Sequence, residues 1–484
     1  ARLKEVEGLG KKRIEGIRKA WRENAERRKL QIHLQSLGIG PASFTKIYKL
    51  YGDNSAAMVK ENPYRLANDI DGIGFLMADR IAANMGIEKA NPKRLLSGIT
   101  HTFSQIRIAG HVCYPENEFI KTAAQLLDVD EPAAEKALAD AIESKIAAVD
   151  TSREGERMVY ETPFFKLETE LPRLLASLMS RRSKAGELMR RVPPKPGSVF
   201  SPEQMKAVES ATYSPISVIT GGPGVGKTTV VGEIVRRAKA LRLRIMLAAP
   251  TGRAAKRMSE ATGIPASTIH RMLKWEPTNR KFVHGKESPL ACDILVVDES
   301  SMLDITLAVC LLRSVAPGAT LILVGDADQL PSVGPGNVLN DIIQSGAVPV
   351  SRLTRIFRQG AGSGIIKNAH AVNAGHVPET QQRHDDGSKS PLTDFYWVEK
   401  DDPDEAAAMI ERLVLERIPK RFGMNPMTDV QVICPMNRGS CGTITLNQRL
   451  QAALNPDARL SFKAGHRHFK SGDYIRIKES GEEG

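Results

Sequence analysis

Cysteine is scarce in this chain. The five present, Cys113, Cys292, Cys310, Cys434 and Cys441, are scattered, odd in number and form no C-x-x-C pair. That excludes a disulfide framework and a structural zinc site, and it implies a reduced, cytoplasmic setting. No apolar run approaches the ~20 residues needed to cross a bilayer, and no secretory signal is visible, so no membrane partner is expected. Acidic residues are outnumbered, 56 against 68 Lys and Arg, for a formal net charge of +12. Such an excess favours a polyanionic partner, because Lys and Arg that neutralise phosphates release condensed counterions. A solvated basic surface would give the same count.

At 484 residues, 41% hydrophobic and 26% charged, the chain is long enough for roughly three globular domains. It opens on Ala1-Arg2-Leu3 and closes on Glu482-Glu483-Gly484, and both ends are expected to be cut. Residues 1 to about 110 read as short helices separated by glycine turns, with helical spacing of apolar residues in stretches such as Phe44 to Leu50. Between 111 and 192 helices give way to two strand-like pieces, Ala147 to Val149 and Met158 to Tyr160. Asp130-Glu131-Pro132 predicts a helix start there, with Asp130 as N-cap. Helices followed by a small hairpin predict a winged-helix-like unit. A basic stretch with Arg181, Arg182, Lys184, Arg190 and Arg191 then runs into Pro193-Pro194-Lys195-Pro196-Gly197, the clearest linker.

Beyond the linker, apolar runs alternate with helical segments: Ile216 to Ile219, Arg244 to Ala248, Ile294 to Val297, Leu321 to Val324 and Val430 to Cys434. Runs of this length fit strands buried on both faces, hence an α/β fold around a parallel sheet. The polar interval Gln381 to Ser390 is expected to be a mobile loop.

Gly221-Gly222-Pro223-Gly224-Val225-Gly226-Lys227-Thr228 satisfies G-x-x-x-x-G-K-[ST] between a strand and a helical run from Thr229. In such a loop backbone N–H groups curl around phosphates, the lysine serves the β and γ groups, and the Thr228 hydroxyl ligates Mg²⁺. Ile294 to Val297 runs into Asp298-Glu299, where Asp298 can hold the metal and Glu299 can polarise an attacking water. A third strand end carries Gly325-Asp326-Ala327-Asp328-Gln329-Leu330-Pro331. The Gln329 amide can bond both γ-phosphate and water, although Gly-Asp-Ala-Asp also reads as a plain polar turn. Gln204, in Ser201-Pro202-Glu203-Gln204, either presents its amide to an adenine edge or caps its helix.

Gly8-Leu9-Gly10, Gly38-Ile39-Gly40 and Gly72-Ile73-Gly74 each precede an apolar helical segment. In a helix-hairpin-helix the two glycines permit a tight turn whose N–H groups face a DNA phosphate. Lys11, Lys12 and Arg13 flank the first. Three copies in one small region favour repeated backbone binding, with a structural role left open for the third, followed by Phe75 and Asp79.

Taken together, Ser201 to Gln204, Gly221 to Thr229, Ala249-Pro250-Thr251-Gly252-Arg253-Ala254-Ala255, Asp298-Glu299-Ser300-Ser301, Gly325 to Pro331 and Leu353-Thr354-Arg355-Ile356-Phe357-Arg358-Gln359 resemble the RecD-like branch of superfamily one DNA helicases. The amino-terminal part is similar to the longer members with helix-hairpin-helix repeats. The resemblance implies tandem RecA-like motor domains, at 198–350 and 351–460, and ATP and Mg²⁺ as cofactors. It also implies 5′-to-3′ movement on single-stranded DNA, with duplex DNA and repair-complex proteins as further partners. ATP would be held by Gln204, Gly222, Gly224, Val225, Gly226, Lys227, Thr228 and Thr229. Arg358 matches the arginine that reaches the γ-phosphate from the second motor domain. Thr251 and Arg253 match the first DNA-contacting motif, and His270, in Ser267-Thr268-Ile269-His270, falls in the next; a structural histidine is the other reading. The insertion at about 273–290 lies where the family has a strand-splitting hairpin, although an ordinary loop has the same length.

Ser300 stands where the family usually has Ala. The family's last two motifs should follow an SH3-like insertion that begins near Phe469, at 461–484. Without them, residues 1–484 are expected to bind ATP and single-stranded DNA but hydrolyse and unwind poorly. Two rival readings are a different P-loop ATPase, such as a protein remodeller, and a DNA-binding scaffold with a degenerate ATPase.

Overall fold

A computed structural model describes residues 27–70, 72–197, 199–279, 281–355, 363–378, 394–456, 460–464 and 467–473. The first glycine turn, Gly8-Leu9-Gly10 with Lys11 to Arg13, the polar interval Gln381 to Ser390, and Arg358 lie outside these residues. The chain divides into two compact units, one built from Ala1–Gly222 and Gly226–Thr354, the other from Pro223–Val225 and Arg355–Gly484.

The first unit begins with the two remaining glycine turns. Gly38 and Gly72 take φ of +91° and +88°, a left-handed conformation that only glycine adopts without strain. Ile39 and Ile73, between the glycines, are buried in one shared core with Leu34, Phe44, Ile47 and Ile81. Gly40 and Gly74 are the N-cap residues of helices α1 (Pro41–Tyr51) and α2 (Phe75–Asn84), and neither cap has a side-chain hydrogen bond. The two hairpins also touch directly, through Asn84 Nδ2 donating to Leu37 O at 3.1 Å.

Next come α3 (Pro92–Ile108), β1 (Cys113–Pro115), α4 (Glu116–Leu127), α5 (Glu131–Glu143), β2 (Ala147–Thr151) and β3 (Arg157–Glu161). The three strands pair antiparallel in the order β1-β3-β2. Helix, strand, two helices and a two-stranded wing is the winged-helix order. Asp130 caps α5 as expected, accepting from Ala133 N at 3.1 Å. Helix α3 contributes Ile99, Phe103 and Ile106 to the core it shares with α4 and α5. Helix α6 (Thr162–Met179) places Leu171, Leu175 and Leu178 in the core of the central sheet. The basic stretch likewise folds as helix α7 (Lys184–Met189), capped by Ser183 and with Met189 buried.

Six strands make the sheet: β4 (Ile216–Thr220), β5 (Ile245–Ala249), β6 (Ala266–Thr268), β9 (Ile294–Val297), β10 (Thr320–Gly325) and β11 (Val350–Arg352), with the short hairpin β7 (Trp275–Glu276) and β8 (Lys281–Phe282) between β6 and β9. The order is β11-β4-β10-β9-β5-β6 and every pair is parallel. β4, β9 and β10 are buried along their whole length, which is why they read as unbroken apolar runs. Each fully buried aliphatic side chain there stabilises the fold by roughly 1.5–3 kcal/mol. Helix α8 (Pro202–Tyr213) precedes the first of these strands, and α9 (Lys227–Ala240), α10 (Gly252–Thr262), α11 (Ile269–Leu273), α12 (Ile305–Ser314) and α13 (Val338–Ser345) lie between successive ones.

In the second unit the described residues form helices, among them α14 (Gly364–Asn373), α15 (Pro403–Arg412) and α16 (Thr443–Leu454), and an antiparallel hairpin of β12 (Ser461–Ala464) and β13 (Arg467–Lys470). Val430 to Cys434, expected as a strand, has no ladder partner among the described residues, and Ile433 is exposed. An apolar run becomes a strand only where another strand takes up its backbone groups.

Candidate functional site

Parallel strands deliver their carboxyl ends to one edge of a sheet, and ligands of open α/β sheets bind outside that edge. Three expected motifs meet there. β4 ends at Thr220 and the glycine loop follows, with Gly224 and Gly226 at φ of +78° and +87°. Lys227 opens α9, and its Nζ donates to the carbonyls of Gly221 and Gly222, the latter at 3.2 Å. Thr228 and Thr229 lie in the first turn of α9, where N–H groups and the helix dipole favour an anion.

β9 ends in Asp298 and Glu299. Asp298 N donates to Ala248 O at 2.9 Å, which sets the pair beside the end of β5. Burial pushes the Asp298 carboxyl above the usual carboxylate range, with Lys227 opposing. Burial, and then the neighbouring Asp298, raise Glu299 as well, against Lys227 and Arg257. Both groups therefore sit where a nearby cation would be welcome, and Glu299 is a stronger base than a solvated glutamate. Glu299 holds φ 52°, ψ 39°, a left-handed conformation that costs a non-glycine residue on the order of 1–3 kcal/mol and clusters at functional sites.

β10 leads into the turn holding Gln329. Ala327 N donates to Thr220 Oγ1 at 3.1 Å, tying this turn to the strand that feeds the glycine loop. Gln329 Nε2 donates to Asp326 Oδ2 at 3.3 Å. Asp326 is 3% exposed. In sequence it is one residue of a polar turn, and its burial at a strand end is the signal that picks it out.

Gln204 is 2% exposed and its Oε1 accepts from Ser201 N at 3.1 Å, completing a capping box with Ser201. Of the two readings left open, the structure displays the helix cap. Next to it Glu203 accepts from Thr354 N and Oγ1 at 2.8 and 2.7 Å, anchoring the chain after β11.

On the β5 side, Thr251 caps α10 through Ala254 N at 3.3 Å, and Arg253 is exposed in the first turn of that helix. His270 packs its ring 5.6 Å from Phe282 on β8, and Phe282 meets Trp275 at 4.9 Å. The insertion is thus a hairpin, with Trp275 paired to Phe282 in register. Asp79, beside the third glycine turn, accepts from Arg94 and Tyr64; its role is structural.

A metal fits this donor set. The Thr228 hydroxyl and the half-buried Asp298 carboxylate are hard oxygen donors. Two such donors would fit an ion of the Mg²⁺ kind, which keeps waters and substrate phosphates among its ligands.

The sequence itself matches known proteins in both regions. Residues 23–113 match the ATP-dependent RecD2 DNA helicase HHH domain, and residues 204–335 match the AAA domain. The chain is 31% identical over 463 residues to the ATP-dependent RecD2 DNA helicase of Deinococcus radiodurans, covering 93% of this chain and 62% of the relative. It is 32% identical over 334 residues to the RecBCD enzyme subunit RecD of Mycobacterium tuberculosis, covering 62% of this chain and 56% of that one. The ATP-dependent DNA helicase dda of Enterobacteria phage T4 is 37% identical over 138 residues, 27% of this chain and 31% of the relative. The chain therefore spans less than two thirds of each of these relatives. Matches in the amino-terminal hairpins and in the sheet, over the stretches that build the site, make this chain similar to the RecD-like helicases.

Proposed function

We propose that the protein is an ATP-dependent DNA helicase or translocase that moves 5′ to 3′ on single-stranded DNA. Its setting is the cytoplasm, its task DNA repair or recombination, and its other partners are duplex DNA and repair-complex proteins. The observation that carries the reading is the convergence of Lys227, Asp298-Glu299 and Gln329 at one sheet edge, beside the helix that begins with Thr251 and Arg253.

ATP lies against the glycine loop, with the N–H groups of Gly222 to Thr229 and the Lys227 ammonium on its phosphates and Gln204 close to the base. Thr228 and Asp298 would hold Mg²⁺, which would supply neutralisation of phosphate charge. Water attacks the γ-phosphorus as the bond to the β-phosphate oxygen breaks, and Glu299 accepts the water's proton. Gln329 orients that water, and Arg358 stabilises charge on the transferring group. Thr251, Arg253 and His270 contact DNA phosphates without reading sequence. Gly38, Gly40, Gly72 and Gly74, with Gly8 and Gly10 in the first turn, present helix N-terminal N–H groups to the duplex backbone. The β7–β8 hairpin splits the strands.

The test is ATP hydrolysis with and without single-stranded DNA, joined to unwinding of duplexes with a 5′ or a 3′ tail. Stimulation by DNA and a preference for the 5′ tail are expected. Stimulation by an unfolded polypeptide and not by DNA would favour a protein remodeller.

A further inference from the structure

ATP hydrolysis as proposed leaves Asp326 without a role, although its carboxylate is buried at the carboxyl end of β10. Its hydrogen bonds are local: Oδ1 accepts from Asp328 N at 3.2 Å and Oδ2 from Gln329 Nε2 at 3.3 Å. The backbone closes the same turn, with Gln329 N donating to Asp326 O at 3.2 Å. Gln329 itself is exposed, so nothing in the way of close packing fixes an amide that could otherwise turn over.

A carboxylate only accepts hydrogen bonds, and the amide NH₂ is the only side-chain donor glutamine has. Asp326 therefore dictates which end of the amide faces it. One N–H goes to Oδ2, which leaves the second N–H for an incoming phosphate oxygen and turns Oε1 outward as an acceptor for a water O–H. The turn is anchored to the glycine-loop strand through Ala327 and Thr220, so this orientation is set relative to the phosphate loop.

We infer that Asp326 is a positioning residue that sets the polarity of the Gln329 amide, so that one side chain serves the γ-phosphate with its N–H and the attacking water with its carbonyl. This rests on the reading of the chain as an ATPase. An Asn at 326 carries both a donor and an acceptor, so it lets the Gln329 amide settle either way round and misdirects the water in a fraction of complexes.

The experiment compares Asp326→Asn, Gln329→Ala and the double variant with the unaltered protein, measuring DNA-stimulated turnover and affinity for a non-hydrolysable ATP analogue. Asp326→Asn should lower kcat roughly tenfold to a hundredfold, the scale of a misplaced reacting group. Analogue affinity should change far less. The double variant should be within about twofold of Gln329→Ala alone, because the second change removes what the first one positions. Losses that multiply, or Asp326→Asn turning over at the unaltered rate, would overturn the inference. So would a Gln329→Ala protein, altered only on an exposed turn, that hydrolyses ATP normally. Turnover that survives Lys227→Ala would instead remove the ATPase reading beneath it.

Discussion

Glu299 is the residue on which most of the proposed chemistry depends, and its surroundings state how. Burial and the adjacent Asp298 hold its carboxyl above the ordinary glutamate range, which favours a base able to keep a proton taken from water. Its left-handed backbone follows from β9 ending against β5 while the chain turns at once into Ser300–Met302, a single 3₁₀ turn. Replacement of Glu299 by Gln keeps shape and backbone but removes the basic oxygen. Nucleotide affinity should stay within a few-fold while turnover falls by about 10² or more, as for an absent general base. Steady-state hydrolysis and analogue binding on the same preparation check this, and near-normal turnover would exclude Glu299 as the base. Residues of this kind are legible in the sequence because their motifs have fixed spacing: a glycine loop after a strand, two acids after another. Asp326 is not legible. A polar residue in a Gly-Asp-Ala-Asp turn looks solvated in one dimension, and only the fold reveals that it is buried.

Among the elements, helix α5 occupies the place of a recognition helix in the winged-helix order, yet it is poorly suited to DNA. Glu131, Glu135, Asp140 and Glu143 are exposed on it, and its apolar side, Ala134, Ala137, Leu138 and Ala141, is spent on the domain core. Exposed carboxylates repel phosphate, so α5 is not expected to meet the DNA backbone. Replacing these four acids by Gln should leave DNA affinity unchanged or slightly higher in a salt titration. A severalfold loss would mean that α5 meets DNA in a way its charge does not reveal. Elements are legible in the sequence where burial is symmetrical. Ile294 to Val297 announces a central strand because both faces are covered, and the Asp130 cap announces α5. Val430 to Cys434 carries the same apolar signal without a ladder partner among the described residues, since hydrophobicity records burial potential and not pairing. In one dimension α6 and α7 read as part of a separate domain and a basic lead-in to a linker, because their docking on the sheet depends on distant residues, such as the Glu170 to Arg313 pair at 2.5 Å.

At the scale of the whole molecule, the amino-terminal region is joined to the sheet by more than its connecting chain. Gly336 N donates to Gly110 O at 3.0 Å, and Val112 packs on the sheet core. The loop that follows Gln329 thus reaches the junction between α3 and the winged-helix strands. The two described glycine turns share one core and offer helix N-termini without side-chain caps, which suits the proposed contact with backbone phosphates. Removing residues 1 to about 110 should weaken DNA binding without altering sequence preference. The slope of log affinity against log salt should fall by about 0.7 to 0.9 for each phosphate that is no longer neutralised. An unchanged slope would make the hairpins purely structural. The central claim is that DNA drives an ATPase built on the sheet edge around Lys227. The most direct measurement is ATP hydrolysis with and without single-stranded DNA, for the unaltered protein and for Lys227→Ala, with DNA affinity measured alongside. The account predicts hydrolysis that rises with DNA and vanishes in Lys227→Ala, while DNA binding stays intact. Hydrolysis indifferent to DNA, or DNA binding abolished with the lysine in the absence of nucleotide, would contradict it.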